Sequence, residues 1–369
     1  MHSQLYGAGL MAVALFATSV HAASPQTGDI LAAGPDLPKL QRLAAMGDPG
    51  AELQLGLLCM GGKGEPKDEA KAIDWFRKAA AQDYDKAEYM LGMIYSFSLD
   101  TSHDYPQAAD WFHKAAIQGN MSAAATLGAL YEEGRGVPQS DAIAMAWYKE
   151  AADRGLREGE YALAIDYYAG KGPEAERMQM IPLLQKAADQ DLAAAEDVLG
   201  EFYLTGTRVP KDESKAVALM RKAIAHGYLS SQCRLANYYL QSPATADQVA
   251  QAHQWLEEGA AKGGMGSAEC LNTEAWILAT AADPVRRDSV KAIQYATEAL
   301  AICPTDSGCL DTMAAAYAAA GQYDQAVVEQ QKAIAALSPG PKKEERRKQE
   351  MQARLDLYRA HKPYVDPTS

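Results

Sequence analysis

A leucine stands at every thirty-sixth position from Leu55 to Leu271, through Leu91, Leu127, Leu163, Leu199 and Leu235, with no insertion anywhere. At the first six a small residue follows: Gly56, Gly92, Gly128, Ala164, Gly200 and Ala236. Four residues beyond those leucines stand Cys59, Tyr95, Tyr131, Tyr167, Tyr203 and Tyr239. Twenty beyond stand the pairs Trp75-Phe76, Trp111-Phe112, Trp147-Tyr148, Leu183-Leu184, Leu219-Met220 and Trp255-Leu256. Self-similarity at such a period specifies a solenoid, because one unit alone has too little apolar surface to bury and must use its neighbours.

Each unit reads as a pair of helices. The first carries apolar side chains at offsets −4, 0, +3 and +4 from the leucine, as at Ala87, Leu91, Ile94 and Tyr95. Those offsets form one stripe of a helix of about 3.6 residues per turn. Gly62, Gly134, Gly170 and Gly206 follow, where a helix C-cap takes the left-handed conformation. Pro66, Pro138 and Pro210 then precede a second helix, which Asp68 and Asp212 can cap. This helix presents Ala72, Trp75, Phe76, Ala79 and Ala80, and its equivalents end at Gly119, Gly155, Gly227 and Gly263. Small residues at Gly56, Ala72 and Ala79 allow helix axes to approach, and the aromatic pair fills the space between layers. Trp111 and Trp147 are therefore expected to be largely buried.

The pattern A-x-x-x-L-G-x-x-Y-x-x-G-x-G-V followed by K-A-x-x-W-x-x-K-A-A-x-x-G resembles the Sel-one-like repeat, a close relative of the tetratricopeptide repeat. Ala123 to Val137 supplies the first half and Lys71 to Ala80 the second, and the resemblance covers residues 37–264. It implies an all-α fold, a right-handed α-solenoid of antiparallel helix pairs like the tetratricopeptide superhelix. Two units depart from the pattern. Ser98 and Asp100 replace the loop glycines after Leu91, and the Leu163 unit lacks the aromatic pair, so its packing is expected to be looser.

The period then shortens. Ala292 and Ala326 are 34 apart, as are Ala299 and Ala333, and Met313, Ala314, Tyr317, Gly321 and Tyr323 fall as the tetratricopeptide motif requires. Residues 265–337 thus resemble C-terminal tetratricopeptide units. After the break at Ser338-Pro339-Gly340-Pro341, residues 338–369 read as a charged capping helix and a tail that includes Lys362-Pro363-Tyr364. A polar cap is what an open solenoid needs for solubility.

Residues 8–20 form an apolar run, and Val20-His21-Ala22 offers a small-residue cleavage site before Ala23. Residues 1–22 accordingly read as a signal peptide and 23–36 as a linker, which places the mature chain in the periplasm or outside the cell. The alternative is a cytoplasmic chain, since no Lys or Arg precedes Lys39. No cysteine near the cleavage site offers a lipid anchor, and no later segment has transmembrane length.

Asp and Glu number 48 against 35 Lys and Arg, a formal net charge of −13. That balance argues against nucleic acid as a partner, because phosphate backbones are bound by neutralising them. The basic cluster Lys342 to Lys348 is interleaved with Glu344, Glu345 and Glu350 and reads as a solvated helix. The seven histidines are scattered without metal-ligand spacing, and Gly61-Gly62-Lys63-Gly64 lacks the order of a phosphate loop. Glu52, Glu88, Glu160 and Glu196 recur once per unit and read as a solvated stripe. No catalytic constellation, metal site or cofactor is expected.

Five cysteines leave at least one unpaired within the chain. Cys59 takes the core tyrosine's place and reads as a buried thiol. Cys303 and Cys309 flank a short turn, and either bridge in an oxidising compartment or stand as two thiols. Some secreted Sel-one-like proteins staple each helix pair with a cysteine pair and have been linked to β-lactam binding; that staple is absent here.

Offsets −2, +2 and +5 lie roughly 160 degrees around the first helix from the leucine, at about 100 degrees per residue. Leu53, Leu57 and Met60 stand there, then Tyr89, Met93 and (at +6) Phe97, then Tyr161, Ile165 and Tyr168. The resemblance implies that first helices line the concave surface, where a protein or peptide lies. These side chains are either partner anchors or packing between neighbouring first helices. Glu132, Glu133, Asp197, Glu201 and Asn237 add acidic and polar groups. The leading functional expectation is a non-catalytic scaffold that binds a protein or peptide in the groove and assembles or regulates an envelope process. The alternative is a cell-wall or β-lactam-processing hydrolase on the same scaffold.

Overall fold

The computed structural model describes residues 36–62, 67–97, 103–241, 245–262, 267–337 and 342–366. The signal peptide, the linker up to residue 35, Pro66, Ser98, Asp100, Gly263 and the 338–341 break lie outside the described residues. Among the described residues every regular element is helical. The chain divides into two compact units, Met1–Ala195 and Glu196–Ser369.

The first unit opens with α1 (Leu37–Ala45). The pairs α2 (Pro49–Gly61) with α3 (Glu69–Ala80), α4 (Asp85–Phe97) with α5 (Tyr105–Ile117), and α6 (Met121–Glu133) with α7 (Asp141–Asp153) follow. Next come α8 (Arg157–Tyr168), the short α9 (Glu174–Arg177) and α10 (Met180–Asp189). Helix α11 (Ala193–Thr205) begins at the end of this unit. The second unit continues with α12 (Glu213–Ala225), α13 (Leu229–Gln241), α14 (Ala246–Lys262), α15 (Ser267–Thr280) and α16 (Ser289–Ile302). It ends with α17 (Ser307–Ala319), α18 (Tyr323–Ala335) and α19 (Lys342–Arg359). The expected stops and starts are in place. Gly62 and Gly134 are left-handed, at φ 63° and 68°, and the Asp68 carboxylate accepts the Lys71 amide at 2.9 Å.

The leucine-glycine signature has a specific cause. A Cβ built on Gly92 would stand 2.6 Å from Phe112, one on Gly128 2.7 Å from Tyr148, and one on Gly200 2.8 Å from Met220. Gly56 meets Phe76 in the same way. The second member of each aromatic pair therefore lies flat on a bare backbone, with Phe76 and Phe112 at 0% exposure and Tyr148 at 1%. Where the chain places Ala164 and Ala236, the residues twenty on shrink to Leu184 and Leu256, each fully buried. The Leu163 unit is thus closed rather than loose, because a smaller side chain answers a larger neighbour. Gly92→Ala alone should cost about 1–3 kcal/mol from overpacking. Combined with Phe112→Leu it should recover about 1 kcal/mol or more relative to the sum of the single changes, measured by urea unfolding in a double-mutant cycle. Strict additivity would show that the two positions do not touch.

The first member of the pair behaves differently from expectation. Trp75, Trp111 and Trp147 are only half-buried. The Lys78 and Lys114 ammonium groups lie 3.9 and 4.1 Å from the Trp75 and Trp111 ring centres, and His113 meets Trp147 edge-on at 5.8 Å. At helical spacing the neighbour of a buried residue is turned by about 100 degrees, so only one of two adjacent side chains can point at the core.

The glutamate series is also corrected. Glu52, Glu88, Glu160 and Glu196 are buried, at 5%, 2%, 3% and 0% exposure. Each accepts a hydrogen bond from the residue thirty positions on. Gln82 donates to Glu52 at 2.9 Å, Gln118 to Glu88 at 2.6 Å and Gln190 to Glu160 at 2.8 Å, while His226 Nδ1 lies 2.9 Å from Glu196. A lysine at +26 adds charge: Lys222 reaches Glu196 at 2.9 Å, and Lys114 and Lys186 oppose the burial that raises the Glu88 and Glu160 pKa values. The register varies as a set. Ala124 replaces the glutamate where Glu150 and Arg154 replace its partners, and those two pair with each other at 2.9 Å. In the repeat after that of Glu196, Gln232 donates to Glu258 at 3.3 Å, with donor and acceptor exchanged. These carboxylates join the start of each first helix to the end of its second, since a buried polar group must be hydrogen-bonded.

Of the two alternatives for Cys303 and Cys309 the structure shows the unbridged one, and a different pair is joined. Cys303 and Cys309 are not bridged; their sulfurs lie 3.2 Å apart as thiols. The disulfide joins Cys233 on α13 to Cys270 on α15, with 4.9 Å between Cα atoms and both residues at 0% exposure. Cys59 is buried, as its register position requires. On α19 the side chains of Glu345, Arg346 and Lys348 are exposed, as a solvated face should be. Met351, Leu355 and Tyr358 turn inward on a helical stripe.

Candidate functional site

The first-helix face opposite the leucine stripe separates into a closed part and a polar part. In the first unit its −2 and +2 positions are apolar, half-buried at Leu53, Leu57 and Tyr89 and closed at the others. Met93, Tyr161 and Ile165 are buried, and so are Ala125 and Ala129 at the corresponding offsets of α6. Tyr89 packs against Phe112 at 5.7 Å between ring centres. Burial pushes its phenol up to about 12. Phe97 and Tyr168 are half-buried. Met93, Tyr161 and Ile165 are therefore packing and not exposed anchors, a consequence of first helices lying close enough to share side chains.

Glu132 belongs to a charge network. Lys171, from the turn after α8, places its ammonium 2.6 Å from Glu132, 2.9 Å from Asp141 and 2.9 Å from Asp166. The Tyr148 hydroxyl donates to Glu132 at 3.0 Å. Burial, and then the neighbouring Glu132, raise the Asp166 carboxyl to about 7. One lysine thus ties α6, α7 and α8 together.

The second unit keeps its polar face. Arg234 on α13 is 2.5 Å from Asp197 and 3.1 Å from Glu201, both on α11, and the Ser231 hydroxyl donates to Asp197 at 2.7 Å. Glu269 on α15 also acts on Arg234, and its own pKa is raised by burial against that cation's pull. Asn237, three residues along α13 from Arg234, is half-buried beside this group. Three carboxylates around one guanidinium leave the face net negative. Glu201 and Asn237 are thus brought together with Asp197, at offsets −2 and +2 of successive repeats.

Trp276 was overlooked, although it stands at Leu271 +5, an offset that defines this face. Its indole N–H donates to Asp366 at 3.2 Å, and its ring lies 5.8 Å from Tyr364. The Arg354 guanidinium sits 5.4 Å from both ring centres and pairs with Asp311 through two hydrogen bonds of 3.0 and 2.7 Å. The Gln330 amide also donates to Asp311, at 2.8 Å.

A separate cleft of about 650 Å³ lies between α3 and α5, lined by Arg77, Asp83, Glu88, Trp111, Lys114 and Gln118 together with alanine and isoleucine side chains. Its lining carries no serine, cysteine or histidine. Among the described residues no helix is long and apolar enough to cross a membrane.

The Sel1 repeat family model matches residues 49–84, 85–120, 122–156, 193–228, 229–264 and 278–301. The unmatched stretch between 156 and 193 is the unit without the aromatic pair, and the last match reaches into the region that resembles tetratricopeptide units. No curated protein matches the chain. Among solved structures, c5321, a protective antigen of uropathogenic Escherichia coli with the same repeat fold, is 25% identical at a TM-score of 0.56. The match covers 90% of this chain and 76% of that one. A Sel1 repeat protein from Oxalobacter formigenes is 24% identical at a TM-score of 0.58, over 64% of this chain and 99% of its own. With repeats matched over more than half of its length, the chain belongs to the Sel1 repeat family of helical, typically non-catalytic protein-interaction scaffolds.

Proposed function

We propose that this protein is a non-catalytic scaffold of the bacterial envelope or periplasm, which binds a protein or peptide on the first-helix face of its second unit. The observation that carries the reading is the contrast between the two units. At offsets −2 and +2 the face is apolar in one, with Met93, Tyr161 and Ile165 buried, whereas the other keeps Glu201 and Asn237 half-buried at a net acidic group, with Trp276 half-buried on α15. Arg234 and Trp276 are of residue types enriched at interfaces, where acidic and polar side chains belong to the rim. Two features support export. The N-terminal apolar run ends in a small-residue cleavage site, and the buried Cys233–Cys270 disulfide suits an oxidising compartment.

The test pairs capture with stability. The full mature chain and its Glu201→Ala, Asn237→Ala variant are used to capture proteins from envelope extract, and both are melted. Capture should weaken about tenfold, the equivalent of about 1.4 kcal/mol at an interface, while the melting temperature holds. Unchanged capture by the folded variant would overturn the assignment of this face.

A further inference from the structure

We propose that the Trp276 face of α15 is a site for an extended peptide bearing an aromatic residue and, two positions on, a carboxylate. Residues 361–366 of this chain occupy it as an internal competitor. The inference rests on the scaffold reading and names the chemistry of the ligand.

The geometry begins at the end of α19. His361 takes a left-handed φ of 56° and stacks on Tyr323 at 5.1 Å, which turns the chain sharply out of the helix. Beyond it Lys362, Pro363 and Val365 are exposed while Tyr364 and Asp366 are half-buried. From Pro363 to Asp366 exposure therefore alternates, the two-residue rhythm of an extended segment laid on a surface. Both inward side chains meet the same residue. Tyr364 packs on the Trp276 ring, and the Asp366 carboxylate accepts the Trp276 indole N–H. The Asp366 amide donates at 2.8 Å to the carbonyl of Thr280, the last residue of α15. Carbonyls in a helix's last turn have no partner within the helix, so the segment takes one that any peptide backbone can satisfy.

The cradle does not depend on its occupant. Arg354 lies over both aromatic rings but is fixed by Asp311, itself held by Gln330, and these three are at 8%, 7% and 0% exposure. A fixed guanidinium beside an indole favours an incoming aromatic ring and an acidic side chain. Tyr364, which also packs on the cluster of Ala314, Ala318 and Tyr358, holds the internal segment there together with Asp366 and the backbone bond to Thr280, and a second peptide that offers the same groups competes for each of these contacts.

The probe is a fluorescein-labelled peptide with the sequence of residues 361–369. It is titrated into the full chain and into its Tyr364→Ala, Asp366→Ala variant, which vacates the cradle and leaves the cradle's own residues intact. The vacated chain should bind at least about tenfold more tightly than the parent, because a tethered competitor acts at roughly millimolar effective concentration. Adding Trp276→Ala should abolish that binding. A folded, vacated chain that binds no peptide, or binds it equally without Trp276, would overturn the proposal. A second measurement needs no variant. Hydrogen exchange of residues 361–366 in the parent chain should accelerate when unlabelled peptide is added to millimolar excess, and unchanged protection would equally overturn it. Failure here with Glu201-dependent capture intact removes the peptide site and leaves the scaffold reading standing. Peptide binding without Glu201-dependent capture does the reverse.

Discussion

Replacing Phe112 by alanine is expected to lower the unfolding free energy by about 3–5 kcal/mol, and replacing the adjacent Trp111 by only about 1–2 kcal/mol, the range of an ordinary substitution. Phe112 is at 0% exposure and lies on the bare backbone of Gly92, with Tyr89 tilted against it from the first-helix side. Nothing nearby can collapse into its space, because the surrounding positions are alanines already fully buried: Ala108, Ala115 and Ala123. Trp111 by contrast presents one face to solvent and carries the Lys114 ammonium over its ring, a contact worth about 0.5–1 kcal/mol at an exposed site. The loss at Phe112 should spread, since each repeat is stabilised through its neighbours and weakening one interface lowers the cooperativity of the array. Urea unfolding followed by circular dichroism gives both numbers. Equal losses at the two positions would mean that the inward residue of the pair has been misassigned.

That pair shows how far the sequence could be read. The 36-residue period places every first helix and names the residues that must meet, but it cannot by itself say which of two adjacent aromatics turns inward. The answer lies in a second pattern, the exchange of glycine for alanine at 164 and 236 in step with leucine at 184 and 256. The buried glutamates were legible in the same way. Glu52, Glu88, Glu160 and Glu196 share one offset, and glutamine or histidine stands thirty residues on in each case. Both members are lost together at Ala124 and Arg154. Solvated positions have no reason to vary as sets, so the joint change marks a contact. The period places offsets −2, +2 and +5 on one side of each first helix, yet it carries no measure of how near adjacent first helices lie. Distance decides whether Tyr161 is an anchor or packing, and distance comes only with the structure.

The second large effect is expected from the disulfide. Cys233 and Cys270 are 37 residues apart, one more than the repeat, so they stand on first helices of successive units at nearly the same height. Their offsets from the leucines differ, −2 and −1, which hides the pair from a strict period. The bridge closes a loop containing all of α14, and that helix crosses close to it at Gly259, where a Cβ would collide with the Cys270 sulfur. On a chain-entropy basis, replacing both cysteines by alanine should cost about 3–4 kcal/mol for a loop of this length. Because the bridge joins two neighbouring repeats directly, the loss should fall on the second unit. Hydrogen exchange should rise across α13 to α16 and change little in α2 to α7. A thiol titration of the unfolded, unreduced chain tests the premise separately, and should find three reactive groups, Cys59, Cys303 and Cys309. One reactive group would mean that the 3.2 Å pair at Cys303 and Cys309 has also closed in solution. Five would mean that neither bridge forms, and with that the support the disulfide lends to an exported scaffold would be gone.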